Sequence, residues 1–367
     1  MRLKRLTIQN YKKIDYLEID FPQPLMPHDP DVFILGSRNG GGKTSVLECC
    51  GLLVLAGIMQ SLEPNSNRFK IRDKNRELDI ANSIIRLSAE ELLITGHFEK
   101  RNDSGIQECS ISLTITKNGF RRPHFKGDIS IFSPKIQPHP LIFGTTNNAI
   151  LDILGFSNKL FVAAPLMFLN SYRRTEKTNP NAEMMIDQKA SYYHNGRSSK
   201  PSSMHITNLL FKTQVANIFF RKNPFIDIDF DDFSLDSAVN TIEKLNQITR
   251  RYCGGEIGVL ARRDNTFEIR IKHDEGQKSF PFDGLSSGQK EIITTLFLIW
   301  NNTQHQPSIV LIDEPELHLN SEWHRDFVSQ LCKLAPQNQY ILATHSEEIF
   351  RAVDPEYRAI LVPDDGE

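Results

Sequence analysis

The chain opens on alternation. Leu3 to Gln9 and Tyr16 to Phe21 follow the period of two that puts every second side chain on one face of a strand. Asp31 to Leu35 is a short continuous apolar run, which predicts a strand buried on both faces, and Thr44 to Met59 is apolar-rich over a helical length. Strand, strand, buried strand, glycine-rich turn and helix together predict the opening of a nucleotide-binding sheet. Residues 61 to 90 are polar and charged. Glu91 to Glu99 and Glu108 to Lys117 alternate again, the second running into an Asn118-Gly119 turn, so a small antiparallel meander is expected. Asn147 to Leu160 has helical spacing and Phe161 to Leu169 reads as one buried strand. Thr175 to Ser203, rich in Ser, Asn, Lys and His, has little period and is expected to be a mobile loop.

Helical patterns return at His205 to Lys222 and Ser234 to Tyr252, and Glu256 to Arg262 with Thr266 to His273 predicts a hairpin around Asp264-Asn265. From Phe282 the order is loop, helix (Gly288 to Asn301), strand (Ser308 to Ile312), helix (Ser321 to Leu334), strand (Tyr340 to Thr344), which is α/β layering. The expected architecture is therefore α/β, a mixed sheet with flanking helices split between the two ends of the chain and interrupted by an inserted α+β arm. The boundaries expected are 1–170 for the N-terminal lobe with its antiparallel strands, 171–254 for the helical arm and loop, and 255–367 for the C-terminal lobe. No internal repeat and no sustained heptads are present.

Composition narrows the class. With 367 residues, 39% hydrophobic and 24% charged, the chain can bury one large core or two ordinary ones. The apolar run Gly51 to Met59 is shorter than the roughly 18–20 residues that cross a bilayer, and Met1 to Arg5 lacks the apolar core of a signal peptide, so a cytoplasmic protein without a membrane span is expected. Cys49, Cys50, Cys109, Cys253 and Cys332 are scattered without a Cys-x-x-Cys pair, which predicts buried thiols and no structural metal. A formal net charge of −2 offers phosphate backbones no global attraction.

Three segments carry chemistry. Gly36-Ser37-Arg38-Asn39-Gly40-Gly41-Gly42-Lys43-Thr44 lies between an apolar strand and an apolar helix, where successive backbone N–H groups can curl around a phosphate. Lys43 would reach the β- and γ-phosphates and the Thr44 hydroxyl would coordinate Mg2+. In the usual spacing a glycine stands where this chain has Ser37, and Gly36 is one residue too early. Ser308 to Glu314 is a buried strand tipped by two carboxylates: Asp313 suits Mg2+, and Glu314 suits activation of a water. Leu285-Ser286-Ser287-Gly288-Gln289 precedes a helix, whose positive end can bind a second anion. Taken alone, these segments also read as a glycine-rich turn, a strand cap and a plain helix N-cap; their order and spacing favour the catalytic reading.

Here the chain resembles the ABC ATPases. Gly40 to Thr44 looks like their Walker A core, Leu285 to Gln289 like their signature with Ser287 replacing a glycine, and Ile309 to Glu314 like their Walker B strand. Leu317 to Asn320 looks like the D-loop, and Thr344-His345-Ser346 like the switch histidine. The resemblance implies an ABC-type ATPase head that takes ATP and Mg2+ as cofactors. Thr44 and Asp313 would hold the metal, with Lys43, Glu314 and His345 at the reacting phosphate. Arg38, Asn39, Gly40, Gly41, Gly42, Lys43, Thr44 and Ser45 would bind nucleotide, and Ser286, Gly288 and Gln289 would do so from a second copy, making an ATP-dependent dimer. Leu6 to Lys13 and Glu314 to Leu319 are closest in wording to the RecF, SMC and OLD side of the superfamily, including the ATPases of bacterial anti-phage systems such as Septu and retrons. Phe168 to Arg173 resembles a segment that often follows the first lobe in these ATPases.

Departures sharpen the expectation. About 240 residues separate Walker A from the signature, against roughly a hundred in a transporter ATPase, so a transporter is disfavoured. That gap lacks SMC heptads, and only about twenty residues follow the His345 strand, where OLD nucleases continue into a nuclease domain. The expected function is an ATPase that controls a separate nuclease or toxic effector in a nucleic-acid-directed system. The alternatives are a stand-alone DNA-stimulated repair ATPase and a nucleotide-gated scaffold. Gln137 is the candidate for the Q-loop, and Arg173 and Arg174 for a phosphate contact. Arg121, Arg122, Lys126, Arg221, Lys222, Arg250, Arg251, Arg262 and Arg263 read either as a groove for nucleic acid or as solvated faces.

Overall fold

The computed structural model describes residues 1–26, 29–36, 40–64, 69–71, 73–102, 105–135, 146–155, 161–163, 165–171, 206–222, 235–261, 267–273 and 279–361. The chain forms two compact units: Met1–Ser171 with Asn302–Leu317 and Ser321–Glu367, and Tyr172–Asn301 with His318–Asn320.

Two sheets build the first unit. In the antiparallel one, β1 (Arg2–Tyr11) lies between β2 (Ile14–Asp20) and β4 (Glu91–Asn102), and β5 (Gly105–Thr116) pairs with β4, β6 (Gly119–Phe120) and β7 (His124–Gly127). The other has the order β15 (Arg358–Ile360), β3 (Asp31–Gly36), β14 (Gln339–Thr344), β13 (Ile309–Asp313), β9 (Leu166–Leu169), β8 (Phe161–Ala163), parallel throughout except for β8 against β9. Ile309 to Ile312 are all fully buried, the continuous apolar run of a strand covered on both faces.

Helix α1 (Lys43–Leu62) packs on strands of both sheets and is buried along almost its whole length, from Ser45 to Met59. Burial on every side explains its lack of a polar face. Its 20 residues are long and apolar enough to cross a membrane, but most of the helix is interior to this unit. Close approach governs two of the glycines: a Cβ at Gly57 would stand 2.5 Å from the Phe132 ring, and one at Gly96 would stand 2.7 Å from Leu53. Phe132 in turn sits edge-on to Phe98 at 4.9 Å.

Helix α2 (Lys74–Ile84) lies in the stretch whose polarity hides it, since among its residues only Ile80, Ala81 and Ile84 are buried. Polar bonds define it instead. Asp73 accepts from the N–H groups of Asn75 and Arg76 as N-cap, and Glu77 accepts from Ile71 N and Phe120 N. The single strand expected at Phe161 to Leu169 is a hairpin, with Val162 opposite Met167. Pro165, which has no N–H, stands at its turn, and its carbonyl accepts from Ile309 N at 2.9 Å. Helix α3 (Thr146–Ile153) stops before the expected Leu160, with Gly155 at φ 72° just beyond it.

The second unit holds α4 (Ile206–Lys222), α5 (Leu235–Cys253), a sheet of β10 (Gly255–Ala261), β11 (Phe267–His273) and β12 (Phe280–Pro281), and most of α6 (Ser287–Thr303). Phe211 of α4 meets Phe282 at a tilt at 4.9 Å and Phe297 of α6 edge-on at 5.4 Å. This packing gathers the hairpin and the start of α6 with α4 in the second unit, which runs to Asn301. The remaining elements, α7 (Ser321–Leu334) and α8 (Glu347–Phe350), belong to the first unit.

Overpacking gives a direct check on this core. Gly57→Val drives two methyl groups into the Phe132 ring and is expected to lower stability by about 1–3 kcal/mol, measured as a shift of the urea midpoint at unchanged slope.

Candidate functional site

Strand register creates the site. Asp313 pairs with Ala343, and Thr344 pairs with Gly36, so β13, β14 and β3 end at one edge where the loop into α1 begins. Gly40 and Gly42 have φ of 84° and 82°, a left-handed backbone that a residue with a Cβ adopts only at a cost. Gly36 has a separate reason to be glycine. A Cβ there would lie 2.7 Å from the Phe350 ring, so its place one residue early reflects packing on α8 and not the phosphate loop. Ser37, Arg38 and Asn39 lie outside the described residues, as do Gln137, Arg173, Arg174, Arg262, Arg263 and the 175–203 stretch.

At the start of α1 the Thr44 hydroxyl donates to the Asp313 carboxylate, at 3.1 and 3.0 Å from its two oxygens. Hydroxyl and carboxylate side by side are the hard oxygen donors that Mg2+ takes, and Asp313 is 1% exposed, so the pair fits that ion. Lys43 is 6% exposed, with Nζ 3.4 Å from His345 Nδ1. Burial holds the Lys43 ammonium below the ordinary lysine pKa, while the Asp313, Glu316 and Glu314 carboxylates pull it back up. A buried cation facing several carboxylates fits a site for a polyanion with its metal. Ser45 is also buried, on the first turn of α1.

Glu314 takes φ 48°, uncommon for a residue with a side chain, and donates its N–H to Ala343 O at 2.8 Å. Its Oε1 stands 3.7 Å from His345 Nε2. The structure thus brings Gly40, Gly41, Gly42, Lys43, Thr44, Ser45, Asp313, Glu314 and His345 together in the first unit, from opposite ends of the chain.

Ser286, Gly288 and Gln289 belong to the second unit. Ser286 Oγ accepts from Gln289 N at 3.2 Å and Gln289 Oε1 accepts from Ser286 N at 3.0 Å, a reciprocal capping box at the head of α6. Gln289 Nε2 also donates to Tyr252 O at 3.0 Å, so its amide is engaged at both ends within its own unit. Below this loop Lys212, 1% exposed, pairs with Asp283 at 2.7 Å. Burial lowers the Lys212 pKa and Asp283 raises it.

Three residues near the phosphate loop escaped the sequence reading. Glu48, one turn past Thr44 on α1, accepts from Tyr11 OH at 2.9 Å and from Lys12 Nζ at 2.6 and 2.8 Å, tying the β1–β2 turn to the helix. Lys13 in that turn places Nζ 3.6 Å from where a Gly40 Cβ would be. Glu316 accepts from Thr344 Oγ1 at 2.7 Å and from His345 N at 2.6 Å. The signals for Lys13 and Glu316 were present in Tyr11-Lys12-Lys13 and Glu314-Pro315-Glu316, segments that carried the resemblance while these two residues were given no role. Of the basic pairs, Arg121, Arg122 and Lys126 lie in the first unit, with Arg121 3.6 Å from Glu91. Arg250 and Arg251 lie in the second, where Arg250 pairs with Glu256.

A mixed sheet beside an antiparallel one, with a carboxylate-tipped central strand and a histidine at the tip of the next strand, is the fold of an ABC-type ATPase head. A solved SMC head bound to the C-winged helix domain of ScpA superposes on it with a TM-score of 0.51 over 96% of this chain and 93% of that one, at 14% identity. The chain belongs to the AAA_21 family, whose model, described as "AAA domain, putative AbiEii toxin, Type IV TA system", matches residues 151–351. It is 23% identical over its whole length to Septu protein PtuA of Bacillus mycoides (strain KBAB4), spanning 41% of that protein. It is also 23% identical to the Retron Vc95 probable ATPase of Vibrio cholerae serotype O1 biovar El Tor, over 98% of this chain and 73% of that one. With the OLD nuclease of Thermus scotoductus (strain ATCC 700910 / SA-01) it shares 24% identity over 94% of this chain and 59% of that one.

Lys43 links the site to stability. Its lowered pKa means that the folded state bears a cost at neutral pH, relieved as pH rises from the folded toward the ordinary lysine value. Lys43→Met removes that cost. The variant is expected to melt at or above the wild-type temperature without nucleotide, and to lose the gain of about 2.7 kcal/mol that a ligand at a hundred times its Kd confers. Thermal melts with and without ATP and Mg2+ check both halves.

Proposed function

We propose that this chain binds ATP with Mg2+ in its first unit and hydrolyses it, and that the signature loop of a second copy completes each site. The observation that carries the reading is the convergence of Lys43, Thr44, Asp313, Glu314 and His345 at one sheet edge, within contacts of 3.0 to 3.7 Å. Gly40 and Gly42 turn the backbone so that N–H groups at the head of α1 face the phosphates, with the helix dipole behind them. Lys43 adds a full charge. Thr44 and Asp313 would hold Mg2+, which when bound neutralises charge on the phosphate oxygens. Glu314 orients a water and takes its proton as that water adds to the terminal phosphate, while ADP departs; His345 steadies that phosphate.

Ser286 and Gly288 act on the nucleotide held by another copy. Their support is the resemblance of Leu285 to Gln289 to the ABC signature and the capping box that presents Ser286 at a helix N-terminus. Relatives named for Septu and retron systems support a further step: nucleotide state in this chain controls a separate nucleic-acid-directed effector in defence against phage.

Glu314→Gln tests the reaction. It is expected to lower ATP turnover by about 10²–10⁴-fold, the usual worth of a positioned base. The same variant should accumulate an ATP-dependent dimer, seen as a doubling of mass by light scattering. Unchanged turnover in Glu314→Gln would remove Glu314 as the base.

A further inference from the structure

We infer that Glu316 is a positioning residue for His345, holding the switch histidine in register with Glu314 and Lys43. The inference rests on the ATPase reading and deepens it. Its basis is a double contact. One carboxylate oxygen accepts the Thr344 hydroxyl at 2.7 Å and the other accepts the His345 backbone N–H at 2.6 Å. Because the Thr344 proton goes to Glu316, the Thr344 oxygen is free to accept from Ser346 N at 3.0 Å, so one carboxylate orders three consecutive residues.

His345 needs such support. It follows the last paired residue of β14, and its imidazole is about a third exposed, so packing alone does not fix the ring. The ring inherits its place from its backbone, and Glu316 is the charged acceptor on that backbone N–H. From there Nδ1 reaches 3.4 Å from Lys43 Nζ and Nε2 reaches 3.7 Å from Glu314 Oε1.

Glu316 is itself built on a stiff stem. Pro315 is buried and has a fixed φ, Glu314 is held in its left-handed turn by the bond to Ala343 O, and Leu317 N donates to Glu314 O at 3.0 Å. The tip of β13 therefore reaches back and grips the tip of β14. Both Glu316 oxygens take part in this grip, which separates its role from that of Glu314, whose carboxylate faces the imidazole. A shift of Glu314 on nucleotide binding would be carried through Pro315 and Glu316 to His345 as a single body.

The test compares Glu316→Ala, Glu316→Gln, His345→Ala and the Glu316→Ala/His345→Ala double variant in the full chain. Each is assayed for turnover at saturating ATP and for affinity toward a fluorescent ATP analogue. Glu316→Ala is expected to lower kcat about tenfold or more while affinity stays within about threefold, because the lost support acts in the reacting arrangement and not in nucleotide capture. The double variant should be no more than about twofold slower than His345→Ala alone, since a missing ring needs no support. Glu316→Gln keeps an acceptor for His345 N but loses the charge, so its kcat falls between wild type and Ala; it carries the same test if Ala does not fold. Wild-type kcat in Glu316→Ala, or losses that multiply in the double variant, would overturn the inference. Hydrogen exchange of the 340–348 segment without nucleotide reads the contact apart from hydrolysis. Faster exchange at His345 in Glu316→Ala and Glu316→Gln is expected, and unchanged exchange overturns the inference. A wild type that binds ATP without turning it over defeats the proposed reaction and leaves the exchange result to decide on Glu316.

Discussion

Parallel pairing of β14 with both β3 and β13 is the constraint on which the rest of the first unit hangs. It sets Gly36 beside Thr344 and Ala343 beside Asp313, so three chain crossings arrive at one edge in step. A slip of one residue in either pair would turn Asp313 or Thr344 to the other face of the sheet. The register is secured by burial, since Ile309 to Ile312 and Tyr340 to Ala343 are all 1% exposed or less. A sheet covered on both faces has few competing registers, because each alternative puts a polar end inside. Asn338 and Gln339 add polar locks: Asn338 Oδ1 accepts from Ser308 N, and Gln339 exchanges two bonds with the backbone of Leu3, joining the antiparallel sheet to the parallel one.

Charge at this edge is arranged at a cost to folding. Lys43 is buried against carboxylates at a cost in its own ionisation, and Thr44 donates to the residue with which it would share Mg2+. Groups held in this way contribute less to folding than apolar ones of the same size. Around them the scaffold is conventional: α1 is walled by apolar side chains, and the Tyr11–Glu48–Lys12 cluster fixes the β1–β2 turn over its first turns.

Legibility in the sequence followed the kind of signal each element carries. α1, β13, β14 and α7 were readable because burial imposes a period or a continuous apolar run, while Gly40, Gly42 and Asp313-Glu314 stood out because the expected chemistry needs glycines and acids at fixed places. α2 was not, because a cap at Asp73 and a Glu77 bridge hold a helix that buries little. The hairpin at Pro165 read as one strand because its residues are apolar on both sides of the turn. The packing of α4 on α6 was not legible, because the aromatic contacts of Phe211 with Phe282 and Phe297 join segments far apart in sequence, and no local pattern records that. Glu316 was quoted only as part of a motif, since its role depends on which strand tip it reaches.

Complementation between two inactive chains tests the shared-site account most directly. Lys43→Met disables a chain's own nucleotide site and Ser286→Arg disables what it would lend to another, so each variant alone is expected to show little ATP turnover. Equal mixing should restore about a quarter of wild-type turnover, because half of randomly formed dimers are mixed and each of those holds one intact site of two. Full activity in Ser286→Arg alone, or a mixture that stays inactive while both chains fold and dimerise, would contradict the account.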